Sequence, residues 1–187
     1  MRVIARLIHL NGAPGIGKTS LARRYLDDHA LALLLDIDAI RTSLGRWSEH
    51  AESKLAARDL ALAMALAHLR GGHDVVLPQY LGRMEFIVAL GDVAERSGAA
   101  FIEVLLDADR SVNVERFRSR RNELLDRADP HPQADVLDAA VDSAVSDACA
   151  NLARVASQRP SVIRIRADDG LDETYAALMA AIDSAVD

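Results

Sequence analysis

Gly12-Ala13-Pro14-Gly15-Ile16-Gly17-Lys18-Thr19 fits the spacing G-x-x-x-x-G-K-[ST], and its fixed positions each have a physical use. Glycines let a backbone curl so that successive N–H groups converge on phosphate oxygens. A helix entered at Lys18 adds the positive end of its dipole. Lys18 can reach the outer phosphates of a nucleoside triphosphate, and the hydroxyl of Thr19, followed by Ser20, can hold Mg²⁺. The stretch from Gly12 to Ser20 is therefore read as a nucleotide-binding cradle.

Leu35-Asp36-Ile37-Asp38-Ala39-Ile40-Arg41 sets two carboxylates two residues apart at the end of an apolar run. On an extended segment, residues i and i+2 point the same way, so both acids can face one crevice. Transfer of a phosphoryl group to an alcohol needs a positioned acceptor oxygen and a group to take its proton. Asp38 suits that base, and Asp36 suits Mg²⁺, directly or through water. Aspartate is also a preferred helix N-cap, so capping stands as the competing use of either residue. Arg41 lies three residues beyond Asp38, on the same face of a helix begun there.

After Val75-Val76-Leu77 this chain has Pro78, so no acid stands there to orient a metal. Gln79 and Arg83 follow and can hydrogen-bond a polar acceptor or its phosphate. Trp47 can wall the acceptor pocket or simply pack. Further on, Arg116 and Arg120 are i and i+4 on one helix face, and guanidinium forks suit phosphate oxygens and stacking on a base. Pairing with Glu115, Glu123 and Asp126 is their plainer alternative. His9 reads as a packed strand residue and Cys149 as inert packing. No spacing among the histidines makes a metal site. No Asn-Lys-x-Asp guanine motif occurs, which favours ATP over GTP.

These residues need elements to position them. Strands are expected at Val3–Leu10, Leu31–Leu35 (buried on both faces), Val75–Leu77, Phe101–Leu106 and Val162–Ile165. Helices are expected at Lys18–His29, Asp38–Gly45, Glu52–Arg70, Met84–Arg96, Ser111–Leu125, Ala134–Ser157 and Asp172–Val186. Alternation of strand and helix implies right-handed crossovers and a parallel sheet in one α/β domain over 1–187.

Composition narrows the function classes. The chain has 187 residues, a net charge of −6 from 22 basic and 28 acidic residues, and one cysteine. No apolar run approaches the roughly 18 residues a membrane span requires. A lone cysteine fits a reducing cytoplasm. The acidic balance makes nucleic acid an unlikely partner. Basic residues nevertheless gather at Lys18, Arg41, Arg83 and Arg116–Arg121, while acids collect on the 134–157 and C-terminal helices.

By its glycine cradle, Asp38 with Arg41, and the Arg116/Arg120 pair, the chain resembles the P-loop small-molecule kinases. That group includes shikimate and gluconate kinases, chloramphenicol phosphotransferase and polynucleotide 5′-kinase. The resemblance implies a three-layer α/β P-loop NTPase fold, with five parallel strands in the order 2-3-1-4-5 and helices on both faces. It implies ATP with Mg²⁺ as donor and a small-molecule hydroxyl as acceptor, contacted by Asp38 and Arg41. It further implies a short lid over about 116–135, with one arginine near the adenine and the other near the phosphates. A nucleotide or polynucleotide acceptor, or a nucleotide-dependent switch without an acceptor, are the competing expectations. The acceptor's identity and the oligomeric state are not readable.

Overall fold

The computed structural model describes residues 4–126, 133 and 136–186. β1 (Arg6–Asn11) leads through the glycine loop into α1 (Lys18–Asp28). Then come β2 (Leu33–Leu34), α2 (Ile37–Thr42), α3 (Ser53–Arg70), β3 (Val75–Leu77), α4 (Met84–Ser97), β4 (Ala100–Asp107) and α5 (Arg110–Asp126). A 3-10 turn at Asp138–Ala140 precedes α6 (Val141–Ser157), β5 (Ile163–Arg166) and α7 (Leu171–Val186). Every strand pairing is parallel and the order is β2-β3-β1-β4-β5. This is the expected three-layer architecture.

β1 lies at the centre because its pleat offers apolar groups to both faces. Leu7 points toward a core shared with α3 and α4, through Ala57, Ala61, Ala65, Ile87 and Leu90. Ile8 and Leu10 point toward α1 and α7, through Leu21, Tyr25, Leu178 and Ile182. Leu7, Ile8 and Leu10 are fully buried, and complete burial of such a side chain contributes roughly 1.5–3 kcal/mol. The Tyr25 hydroxyl donates to Asp74 Oδ2 at 2.6 Å, and Asp74 Oδ1 accepts from the Arg6 amide at 2.8 Å. That pair of bonds ties α1 to the entrances of β1 and β3.

Three expectations are corrected. β2 is a two-residue edge strand with half-buried side chains, because its only neighbour is β3. α2 begins at Ile37, not Asp38, because Asp36 is the cap: its Oδ1 accepts from the amides of Asp38 at 3.0 Å and Ala39 at 3.1 Å. α6 begins at Val141 rather than 134, since Leu137 is extended and cannot propagate a helix. Of the lid expected around 116–135, residues 127–132, 134 and 135, which take in all of the polar break after Asp126, lie outside the described residues. Among the described residues no helix is long and apolar enough to cross a membrane.

Candidate functional site

The glycine loop closes the carboxyl end of β1, where the crevice of an open parallel sheet is found. Gly15 and Gly17 have φ of +82° and +99°, a region that L side chains rarely adopt. Gly15 also lies against α5, where an added Cβ would meet Phe117 N at 2.7 Å and Asn113 O at 2.8 Å. Loop and arginine helix are thus in backbone contact. Lys18 is buried and donates to the Gly12 and Ala13 carbonyls at 2.9 and 2.8 Å. Burial, and then the nearby Arg120, lower its pKa to about 7 against the opposing pull of Asp38. The side chain is folded over the loop it would share with phosphates.

A cavity of about 220 Å³ opens above this loop. Its floor carries Pro14, Gly15, Gly17, Lys18, Thr19 and Ser20. Asp36, Asp38, Pro78, Gln79, Tyr80, Arg116, Arg120, Glu123 and Gln133 complete its lining. The two aspartates reach it differently than an extended segment would arrange them. Asp36 is the N-cap, with one oxygen holding the helix start, and Asp38 sits in the first turn. Pro78, not an acid, follows the end of β3. Among the described residues no three His, Cys, Asp or Glu side chains gather as a metal cluster. Hard oxygen donors that suit a divalent cation are present in the lining, among them the side chains of Thr19, Ser20, Asp36, Asp38 and Glu123.

α5 divides its arginines by face. Arg116 and Arg120 turn to the cavity, Arg120 donating to Gln133 Oε1 at 3.1 Å. Arg118 pairs with Asp142 at 2.5 Å and lies 3.7 Å from Asp138, and Arg121 donates to the Val136 carbonyl. Arg116 donates to the Ala167 carbonyl at 3.1 Å and borders a second cavity, of about 240 Å³, with Ala167, Gly170 and Thr174. It therefore stands between the loop floor and the segment after β5.

Arg41 and Arg83 are not among the residues lining the main cavity. The Arg41 guanidinium lies over Trp47, 4.7 Å from the ring centre, while its Nε donates to Ser53 Oγ at 3.0 Å. Trp47 accordingly packs on an arginine and does not wall the cavity. Arg83 is exposed at the head of α4. Cys149 is half-buried and burial pushes its thiol pKa up.

Two positioning residues escape a reading of local spacing. Asn11 Oδ1 accepts from the amides of Gly12 (2.9 Å) and Leu81 (3.0 Å), and its Nδ2 donates to the Leu81 carbonyl at 3.0 Å. His9, one pleat earlier on the same face, holds the Gln79 carbonyl at 3.1 Å. A carbonyl only accepts, so Nε2 carries the proton. Together they fasten residues 79–81, of which Gln79 and Tyr80 line the cavity, to the strand that carries the loop. An Asn directly before the first loop glycine is the one local signal of this role.

His9 is buried, and desolvation, opposed by the Gln79 bond and helped by Lys18 and Arg159, lowers its pKa to about 4. Below pH 6.5 the unfolded ring takes up a proton that the folded ring refuses until about pH 4. Stability is therefore full above 6.5 and falls across that window by roughly 3 kcal/mol. His9→Gln keeps an N–H donor near the Nε2 position and cannot titrate. Its urea-unfolding free energy should lose correspondingly less between pH 7 and 4.5, and an unchanged acid loss would remove His9 as the cause.

The sheet order, the loop between β1 and α1, and an arginine helix against that loop define a P-loop nucleotide-binding fold. The chain belongs to the AAA domain family, whose model matches residues 7–145. Among solved structures it is similar to a gluconokinase from Sinorhizobium meliloti 1021, at 15% identity and TM-score 0.61, covering 98% of this chain and 94% of that one. It is similar to the Mycobacterium tuberculosis APS kinase solved with AMPPNP and APS, at 20% identity and TM-score 0.61, covering 96% and 98%. It is also similar to the Deinococcus radiodurans tunicamycin resistance protein, at 17% identity and TM-score 0.60, covering 95% of each chain. At such identities the likeness is one of fold. A comparison with curated proteins returns no match.

Proposed function

We propose that this protein is a kinase that transfers the γ-phosphoryl group of ATP to a hydroxyl of a small molecule. One observation carries the reading: the loop with Lys18 and Thr19, the Asp36/Asp38 pair and the Arg116/Arg120 pair surround a single cavity. The kinase names of the solved relatives, one of them bound to an ATP analogue, support it.

ATP with Mg²⁺ supplies the phosphoryl group and a cation that neutralises its charge. The amides of the loop, Gly12 to Ser20, bind the phosphates, and Lys18 turns from the Gly12 and Ala13 carbonyls toward them. Thr19 and Asp36 hold the cation. Asp38 orients the acceptor hydroxyl and takes its proton. Arg120 faces the charge that builds on the transferred group. Arg116 links the phosphate side to the second cavity, where the base would lie along the Ala167–Gly170 backbone. α5 borders the site and helps to exclude water. Gln79 remains the acceptor-side hydrogen-bonding group, whereas Arg41 and Arg83, turned elsewhere, have no part.

The test is a panel of sugars, nucleosides, polyols and antibiotics offered with MgATP while ADP release is followed. Acceptor-dependent ADP release that vanishes in Lys18→Ala is the expected result. Nucleotide-dependent association with another macromolecule, without transfer to any acceptor, would instead support a switch.

A further inference from the structure

α3 carries its apolar residues the wrong way round for a helix that serves one core. Leu60 to Ala67 is an unbroken run of eight apolar residues. Toward the sheet α3 presents small ones, Ala57, Ala61 and Ala65, all fully buried, with Leu62 and Leu66 packed partly against the same core. Toward solvent it presents Ala56, Leu60, Ala63, Met64 and Ala67, with Leu60 44% and Met64 41% exposed. A surface helix ordinarily turns polar groups outward, and one that is apolar all round is covered on every side. None of the described residues covers this outer face.

The face is complementary to itself. When a two-fold axis relates identical antiparallel helices, residue i of one meets j of the other, and j meets i. With the axis beside residues 61 and 62, Leu60 lies opposite the copy's Met64, and Ala56 opposite the copy's Ala67. The alanines let the two backbones approach closely. Glu52 and Arg70 are 18 residues apart, which is five turns, so they share one edge of the helix. The same axis sets each Glu52 against the copy's Arg70, and opposite charges close the contact at both ends. Both residues are exposed, Glu52 makes no capping bond to α3, and neither has an ion-pair partner among the described residues. The two Asp59 straddle the axis at the solvent rim, roughly 7–8 Å apart along the helices. Arg58 stays out of the contact, turned to the Phe86 ring. We propose that a second copy of this chain covers α3, through an antiparallel α3–α3 contact bounded by two Glu52–Arg70 pairs. A contact one helix wide is smaller than the roughly 800 Å² per partner of a standard interface, so the dimer is expected to dissociate in the micromolar range.

The test is sedimentation velocity of the full chain from about 1 to 300 μM, with no nucleotide present. The unaltered protein is expected to pass from monomer to dimer across that range. Leu60→Glu sets a carboxylate against the copy's Met64 and should raise the dissociation constant about a hundredfold. Arg70→Glu sets like charges together at both ends and should raise it about tenfold. Glu52→Arg combined with Arg70→Glu should bring it back to within about threefold of the unaltered protein. Each reversal opposes the dipole at its own end of α3, so a firmer helix does not explain such a recovery. Nor does pairing within one chain, where the two positions stand about 27 Å apart along the helix. A monomer at every concentration overturns the proposal. So does a dimer indifferent to Leu60→Glu or to Arg70→Glu, or one that the double reversal fails to restore. Neither result touches the kinase reading, because no α3 residue lines the main cavity.

Discussion

Replacing Asp38 by alanine is expected to lower kcat by 10²–10⁴-fold, the range that a positioned base contributes, while ATP still binds. The geometry separates the two effects. Asp38 lies in the first turn of α2, whereas the groups that would hold phosphates come from the loop and from α5. Asp38 supplies negative charge to a cavity meant for a triphosphate, so its removal should leave nucleotide affinity unchanged or slightly improved. Nor does the substitution melt α2, since the cap is the Asp36 side chain acting on the backbone amide of residue 38, which alanine retains. Asp38→Asn retains the shape and a hydrogen bond to the acceptor but takes no proton, and should fall nearly as far. Calorimetric ATP titration beside single-turnover transfer distinguishes the outcomes. Undiminished transfer would remove Asp38 from its role. Lost binding would assign it to the nucleotide instead.

How far the site could be read in advance follows from how local each signal is. The loop was legible because its glycines and lysine occupy fixed offsets within eight residues, and the cavity floor is built from them. Arg116 and Arg120 were legible because i and i+4 on a helix share a face whatever the tertiary context. The aspartates were half legible: both reach the cavity, but which one caps depended on where the edge strand lets go of β3, a single residue earlier than the pattern suggested. Arg41 is placed by non-local contacts: Trp47 and Ser53, brought close by the turn into α3, hold the guanidinium. His9 and Asn11 were opaque because their partners lie 70 residues away on the neighbouring strand's loop. No periodicity in the sequence encodes a hydrogen bond between two adjacent parallel strands.

Gly15→Ala is expected to be the most damaging single methyl group in the protein, costing nucleotide affinity and transfer together. At φ +82° an alanine pays about 1–2 kcal/mol for a left-handed backbone. Its Cβ would also come within 2.7 Å of Phe117 N and 2.8 Å of Asn113 O. Those are backbone atoms of a helix, not the yielding end of a side chain, so either the loop or α5 must move; overpacking of that kind typically adds 1–3 kcal/mol. Gly17→Ala supplies the internal comparison: its φ is +99°, but an added Cβ meets nothing within 4 Å. Gly17→Ala should therefore lower Tm by only a few degrees, and Gly15→Ala by roughly 5–15 °C for a chain of this size. The functional consequence is larger than the thermal one. α5 packs on Gly15 at Phe117, flanked by Arg116 and, one turn on, Arg120, so moving helix from loop separates both arginines from the phosphates that the loop would bind. Misplacement by about 1 Å can cost about 10²-fold in rate. ATP affinity and kcat are both expected to drop at least that far in Gly15→Ala. Normal affinity together with normal turnover would show that loop and arginine helix are not the single packed unit their contact describes.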